Sequence, residues 1–243
     1  MAHVSNKRHI RSISAPKTWP ISRKEKYWII RPRTVGYKFE YSMPILLWIR
    51  DYLKLVRTRR EAVYALKNGK ILVNNKVIRD PAYSVGLFDV ISIPDLNKNY
   101  RVVFSNNLKL KLIEIQEQEK DLKIIRIVRK NLVKGGKIQV TGLDGSNFLF
   151  DNNEINTGDS ILYNTKENKI EKILKMKEGN IIYIYYGAKV GRVGRLKSIK
   201  IMKKTFGNNR FIEYLNIDTN KVEETIWEYS IVIGEDKPLI TVR

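Results

Sequence analysis

The first 60 residues carry 15 Lys and Arg against three acids, Glu25, Glu40 and Asp51, a net +12 of the chain's +21. Pro16, Pro20 and Pro32 are scattered among these cations, and residues 1–42 show neither helical nor strand periodicity. Like charges at this density repel one another, and a segment without an apolar face has none to bury. The reading is an extended arm that lacks a core of its own and is ordered by a polyanionic partner. Trp19, Tyr27, Trp28, Tyr37, Phe39 and Tyr41 are interleaved with the cations, so phosphate partners and flat stacking surfaces occur together. That pairing suits nucleic acid better than lipid, and the arm reads as one that grips RNA, although basicity alone does not tell RNA from DNA. Lys26 and Lys38 count among the candidate phosphate contacts on charge and position.

From Pro44 the pattern changes. Ile45, Ile49, Tyr52, Leu53 and Val56 recur at spacings of three and four, with Arg50, Lys54 and Arg57 off the stripe, which predicts a helix that starts behind the proline. Thr58-Arg59-Arg60-Glu61 matches a capping box and Asn68-Gly69 a stop, giving a second short helix and a helical hairpin. After Gly69 the period becomes two, through Ile71, Val73, the turn Asn74-Asn75, Val77 and the run Asp89 to Ile93. Arg57, Arg59, Arg60, Lys67, Lys70 and Lys76 are expected to share one basic face of this unit.

Residues 96–175 read as a mostly antiparallel β domain, from the alternation of Leu108 to Ile115 and short apolar runs at 124–128, 138–140, 148–150 and 161–163. Glu114, Glu117, Glu119 and Asp121 make its middle nearly neutral, so it is expected to pack and space more than to bind. Residues 176–243 open on Ile181 to Tyr186, continue through Gly187-Ala188-Lys189-Val190-Gly191-Arg192-Val193-Gly194-Arg195, and offer further strands at 211–217, 222–227 and 231–233, as a small barrel would. In the glycine loop the bare backbone of Gly187, Gly191 and Gly194 could approach a phosphate beside Lys189, Arg192 and Arg195. Its strand-like flanks resemble the KOW motif of small barrels more than the helix-flanked clamp of KH domains; a plain hairpin turn needing positive φ is the standing alternative.

Composition closes several other classes. The absence of cysteine excludes disulfides and Cys-ligated metal sites and fits a reducing interior. Both histidines, His3 and His9, sit in the arm, leaving little for a buried nucleophile–base pair. Lys134-Gly135-Gly136-Lys137 lacks the earlier glycine of a phosphate loop, since Asn131 stands there, and reads as a β-turn. No catalytic residue, cofactor, metal site or small-molecule substrate is expected. The start of the chain has no secretory apolar core, and the longest apolar runs, 44–49 and 181–186, are too short to span a bilayer, so an intracellular, soluble protein without a membrane partner is expected.

Taken in order, residues 12–26 (SISAPKTWPISRKEK), Arg31-Pro32-Arg33, residues 43–53 (MPILLWIRDYL), residues 88–93 (FDVISI), the glycine loop and the closing residues 231–234 (IVIG) resemble the S4e (S-four-e) family of small-subunit ribosomal proteins of archaea and eukaryotes. The resemblance implies an α+β, multi-domain chain: an extended basic arm (1–42), an S4-type RNA-binding module (43–95), a central β domain (96–175) and a KOW-containing, SH3-like barrel with C-terminal strands (176–243). By position, it carries RNA contact to Lys7, Arg8, Arg11, Lys17, Trp19, Arg23, Lys24, Arg31 and Arg33 in the arm, Arg50, Lys54 and Thr58 in the hairpin, and Gly187, Gly191, Arg192 and Gly194 in the loop. The family tends to have Gly-Pro-His where this chain has Gly36-Tyr37-Lys38, and a Gly-Gly-Xaa-Asn opening where it has Tyr186-Gly187-Ala188-Lys189. The expectation is a non-catalytic constituent of the cytoplasmic small ribosomal subunit, with ribosomal RNA and neighbouring ribosomal proteins as partners, supporting subunit assembly and translation. The rivals are an RNA-modifying enzyme that uses the hairpin for targeting, and a free translation or transcription factor.

Overall fold

In the computed structural model, which describes residues 8–33, 36–133, 135–151, 154–203 and 208–242, the period-two pattern after Gly69 resolves into three five-stranded antiparallel sheets. The first runs in the order Lys76–Val77, Leu72–Val73, Val90–Ile93, Lys98–Phe104, Leu110–Ile115. The second is Asn147–Phe150, Ile138–Gly142, Leu122–Leu132, Ser160–Asn164, Lys169–Leu174. The third is Val222–Ile226, Asn208–Asn216, Val193–Lys203, Ile181–Ile184, Ser230–Gly234. Apolar character tracks burial, but the alternation changes phase within a strand: in Leu110–Ile115, Leu110 and Leu112 are buried on one face and Ile113 and Ile115 on the other, while Lys111 and Glu114 face solvent. Asn74 and Asn75 both take positive φ (49° and 62°), as a tight hairpin between short strands requires. Gly135 and Gly136 do likewise, and Val133 N–H bonds the Lys137 carbonyl at 2.9 Å, closing the expected β-turn; Lys134 lies outside the described residues.

Helix is scarce. The expected first helix is an α-turn, Ile45–Leu47, that widens to a π-turn over Trp48–Tyr52, and it stops short of Val56. Residues 45–49 are all buried, so this turn is a core plug instead of an amphipathic surface helix. It ends because Lys54 adopts φ 53° while Leu55 N–H reaches back to the Ile49 carbonyl at 2.9 Å, a helix-terminating geometry that usually selects glycine. The Arg59–Lys67 helix begins as expected: Thr58 Oγ1 accepts from Glu61 N–H at 3.2 Å, and a Glu61 carboxylate oxygen accepts from Arg57 N–H at 2.9 Å.

Two expectations about organisation need correction. The border at residue 95 is no seam, because Val90–Ile93 pairs with Lys98–Phe104 across the tight turn Pro94–Leu96, so the first sheet runs through it. The arm is no bare extension either. Its strands His9–Arg11 and Trp28–Ile30 pair with each other, and Trp19, Ile29 and Ile30 join the principal core, which continues to Val242. The intervening loop wraps one cation: Arg23 donates to the carbonyls of Ile13 and Ala15 at 3.0 Å each and of Pro16 at 2.8 Å. Three irregular carbonyls are thereby satisfied without any periodic hydrogen bonding. Leu110 N–H then bonds the Thr18 carbonyl at 2.8 Å, docking the loop on the first sheet.

Buried side chains join the sheets. Tyr183 Oη, on the third sheet, contacts both N (2.9 Å) and O (3.0 Å) of Phe104 on the first. Arg126, on the second, donates to the Ser230 carbonyl on the third at 2.8 Å and lies 4.7 Å from the centroid of the Trp227 ring. Arg101, 0 % exposed, donates to Glu119 Oε2 at 2.8 Å and to the Thr241 carbonyl at 3.0 Å, while Thr241 N–H donates to the same Glu119 oxygen at 2.8 Å.

Candidate nucleic-acid interface

The arm's second strand and the first helical turn meet at a groove of about 630 Å³ lined by Lys26, Arg50, Lys54 and Arg57 together with Ile21, Ile29, Val56, Glu25 and Asp51. Arg50 and Lys26 both converge on Asp51, at 2.7 Å each. Burial pushes the Asp51 carboxyl upward, but hydrogen bonds from Arg50 and Lys26 more than offset this and hold it below its ordinary value. One acid thus positions two cations, while Lys54 and Arg57 remain exposed at the rim. The left-handed backbone at Lys54 and the capping box at Thr58 set where these two side chains leave the hairpin.

Most other cations expected to bind face solvent: Arg8, Arg11, Lys17, Lys24, Arg31, Arg33 and Lys38 in the arm, and Arg59, Arg60, Lys67, Lys70 and Lys76 beyond the groove. Two of them carry exposed ion pairs, Arg33 with Asp80 at 3.1 Å and Lys70 with Asp95 at 3.0 Å, contacts too weak to withhold them from a polyanion. Lys7 lies outside the described residues.

Several expected contacts are committed elsewhere. Trp19 is 1 % exposed, its ring 5.3 Å from that of Phe39 and tilted 43° to it, so it cannot offer a face to a base. Arg23 is held by the three carbonyls already described. Thr58 serves as the helix cap. In the glycine loop, Arg192 is ion-paired to Glu223 and Lys189 donates to the Glu224 carbonyl at 2.7 Å, leaving Arg195 as the loop's exposed arginine. Burial would raise the Glu223 carboxyl, yet hydrogen bonds from Tyr214, Arg192 and Asn216 hold it low and charged. The glycines also have packing reasons to be glycine. Gly191 has φ 81° and a Cβ there would sit 2.6 Å from Asn106 Oδ1; one on Gly194 would sit 2.3 Å from the Tyr214 ring. The loop is a hairpin turn packed on its neighbours, whatever else it touches.

A buried charge cluster lies outside every site expected from the sequence. Lys123 Nζ lies 2.7 Å from Asp89 Oδ1, 2.7 Å from Asp144 Oδ2 and 3.0 Å from Tyr37 Oη, at the bottom of a cavity of about 400 Å³. Asn74 Nδ2 and Gly86 N–H also donate to Asp89, at 2.7 and 2.8 Å. Desolvation alone would strip the Lys123 charge, but Asp89, Tyr37 and Asp144 hold its pKa well above the ordinary lysine value. Every polar atom named has a partner inside the cluster, so it is a fastener joining residues assigned to three separate domains. Its only signal in the sequence is a lysine within an apolar strand, Leu122-Lys123-Ile124. Among the described residues, no group of three or more His, Asp or Glu is placed to hold a metal ion, and no helix is long and apolar enough to cross a membrane.

Family models match three successive stretches: the RS4NT (NUC023) domain over residues 5–34, the S4 domain over 47–91 and Ribosomal family S4e over 96–170. The small ribosomal subunit protein eS4 of Nanoarchaeum equitans is 42% identical over 194 residues, covering 79% of this chain and 82% of that one. Its counterpart in Korarchaeum cryptofilum is 34% identical over 243 residues and the whole of both chains. The crystal structure of the 30S ribosomal protein S4e from Thermoplasma acidophilum superposes with a TM-score of 0.68 at 31% identity, over 80% of this chain and 96% of that one.

Proposed function

The chain belongs to the ribosomal family S4e, and from that premise we propose that it is a structural constituent of the cytoplasmic small ribosomal subunit, binding ribosomal RNA and touching neighbouring ribosomal proteins without catalysing a reaction. The observation that carries the reading is the groove where Lys26, Arg50, Lys54 and Arg57 meet, continued by the exposed cations of the arm and of the Arg59–Lys67 helix. A run of phosphates neutralised along this track releases counterions, and the folded arm fixes the spacing of the charges. Recognition is by shape and charge, with arginine forks pairing phosphate oxygens.

Arm, hairpin module, central β unit and glycine-loop sheet are proposed as successive contributors. The first two supply most of the binding. The central sheet spaces the ends. The KOW-type unit adds Arg195 and its neighbours, with Arg192 available only if RNA displaces Glu223. The test is the triple substitution Arg57→Ala, Arg59→Ala, Arg60→Ala. Each lost phosphate contact lowers the slope of log affinity against log salt by about 0.7 for single-stranded and about 0.9 for duplex segments. An unchanged slope removes the hairpin from the interface. Failure of the wild-type chain to stay with small subunits through a moderate salt wash defeats the reading as a whole.

A further inference from the structure

Of the six aromatics interleaved with the arm's cations, four are engaged inside the protein. Trp19 and Tyr41 are buried, Phe39 lies against Trp19, and Tyr37 belongs to the Lys123 cluster. Tyr27 and Trp28 stand apart, 57 % and 56 % exposed, on the strand Trp28–Ile30 and the residue before it. Core packing does not need them, because Ile29 and Ile30 already anchor that strand.

We infer that Tyr27, Trp28 and Arg11 form a stacking platform for an unpaired RNA nucleotide. The antiparallel register sets Arg11 directly opposite Trp28, which places the two on one face of the ribbon while the opposed pair Ile10 and Ile29 faces the other way. The Arg11 guanidinium lies 5.6 Å from the Tyr27 centroid and 6.0 Å from that of Trp28. The two rings meet edge to face, 5.1 Å apart at 80°, so they do not cover each other and leave ring faces for a third planar group. Among the described residues no carboxylate pairs with Arg11, and the exposed residues that flank the two strands in the sequence, Arg8, Lys24 and Arg31 against Glu25, carry a net positive charge that favours an anionic occupant.

A flat base stacked on an aromatic, with its phosphate held by an adjacent arginine, satisfies both halves of this chemistry. The nucleotide must be unpaired, because bases inside an A-form duplex have no free faces. This inference rests on the RNA-binding reading above and adds to it the kind of RNA element the arm selects.

The test titrates the full chain with a short oligouridine and, separately, with a blunt-ended, fully paired RNA duplex, following tryptophan fluorescence where Trp28 is present and filter binding for every protein. Trp19 and Trp48 are buried and Trp227 is half-buried between the guanidiniums of Arg126 and Arg210 at 4.7 and 5.2 Å, so the part of the quenching that Trp28→Ala abolishes reports on Trp28. Oligouridine is expected to quench the wild type, and Trp28→Ala, followed by filter binding, to weaken oligouridine binding about tenfold while changing duplex binding by less than about twofold. Tyr27→Ala, which keeps the fluorophore, should show the same selectivity, and both variants should melt with the wild type. Equal losses for the two RNAs, no loss for either, or a normal RNA profile with impaired retention of a neighbouring ribosomal protein would overturn the platform while leaving the interface standing. A wild type that binds neither RNA would remove the functional reading and this inference with it.

Discussion

Replacing Lys123 by methionine keeps an unbranched side chain, one heavy atom shorter, and removes the cation that faces Asp89 and Asp144. Both carboxylates lie 2.7 Å from its ammonium, and lysine and acids alike are nearly sealed from water. Breaking a buried pair by deleting one partner leaves uncompensated charge and costs about 3–5 kcal/mol, a large share of the roughly 5–15 kcal/mol that holds a folded domain together. At about 2–4 °C per kcal/mol for a chain of this size, Lys123→Met should lower the melting temperature by about 6–20 °C.

The pH dependence is the sharper discriminator. In the wild type the Asp144 carboxyl, pushed up by burial but pulled down further by Lys123 and Ser146, sits below its ordinary 3.8, so its contribution is present above that value and is lost as pH falls through the depressed one. Lys123, held above its ordinary 10.5, contributes fully below that value and loses its contribution only at still higher pH. Without the lysine the two acids repel, and protonating one relieves the site. The deficit of Lys123→Met relative to wild type should therefore shrink between pH 7 and pH 5, and adding Asp89→Asn and Asp144→Asn should recover most of it at neutral pH. Calorimetric melts of the three proteins across that range measure it. A deficit under about 1 kcal/mol, or one that does not change with pH, would refute the fastener argument.

Lys54→Gly relieves a left-handed backbone that an L side chain adopts at a cost of about 1 kcal/mol, so it should raise the melting temperature by about 2–4 °C while weakening RNA binding through the lost charge. Denaturant melts beside filter binding would show both, and a destabilised variant would mean that the Lys54 stem packs more than its exposure indicates. Trp19→Ala should cost about 3–5 kcal/mol in the same melts, against under about 0.5 kcal/mol for Trp28→Ala. Equal costs would place the two tryptophans in equivalent environments, contrary to the fold.

Local signals were legible where a short stretch of chain decides its own geometry. The capping box at Thr58 and Glu61, the Asn74-Asn75 turn and the alternating strand at Leu110–Ile115 depend on neighbours a few residues away. The arm was misjudged because what folds it is aperiodic: Arg23 gathers carbonyls at irregular spacings and Trp19 is a single anchor, and neither leaves a repeat to detect. Lys38 and Arg195 stay exposed as their charge implied, whereas Arg192 was claimed by Glu223, a partner 31 positions away that no local pattern marks. The Lys123 cluster is the extreme case, since Tyr37, Asp89 and Asp144 come from distant stretches and each alone looks like an ordinary surface residue. The border that the resemblance implies at residue 95 differs from the structure for a related reason: the short turn Pro94–Leu96 carries the same sheet onward, and no local pattern separates such a turn from the end of a module.

The pairing of Arg101 with the Thr241 carbonyl, separated by 140 positions, also bears on how the molecule comes into being. During synthesis the strand that holds Arg101 emerges long before Thr241, so its guanidinium can find Glu119 early but lacks the Thr241 carbonyl until that much later segment has emerged. Closing so long a loop is entropically slow. Until residues 238–242 fold back onto it, the buried Arg101 site beside the first sheet stays open on one side, and that late segment acts as the latch that seals it.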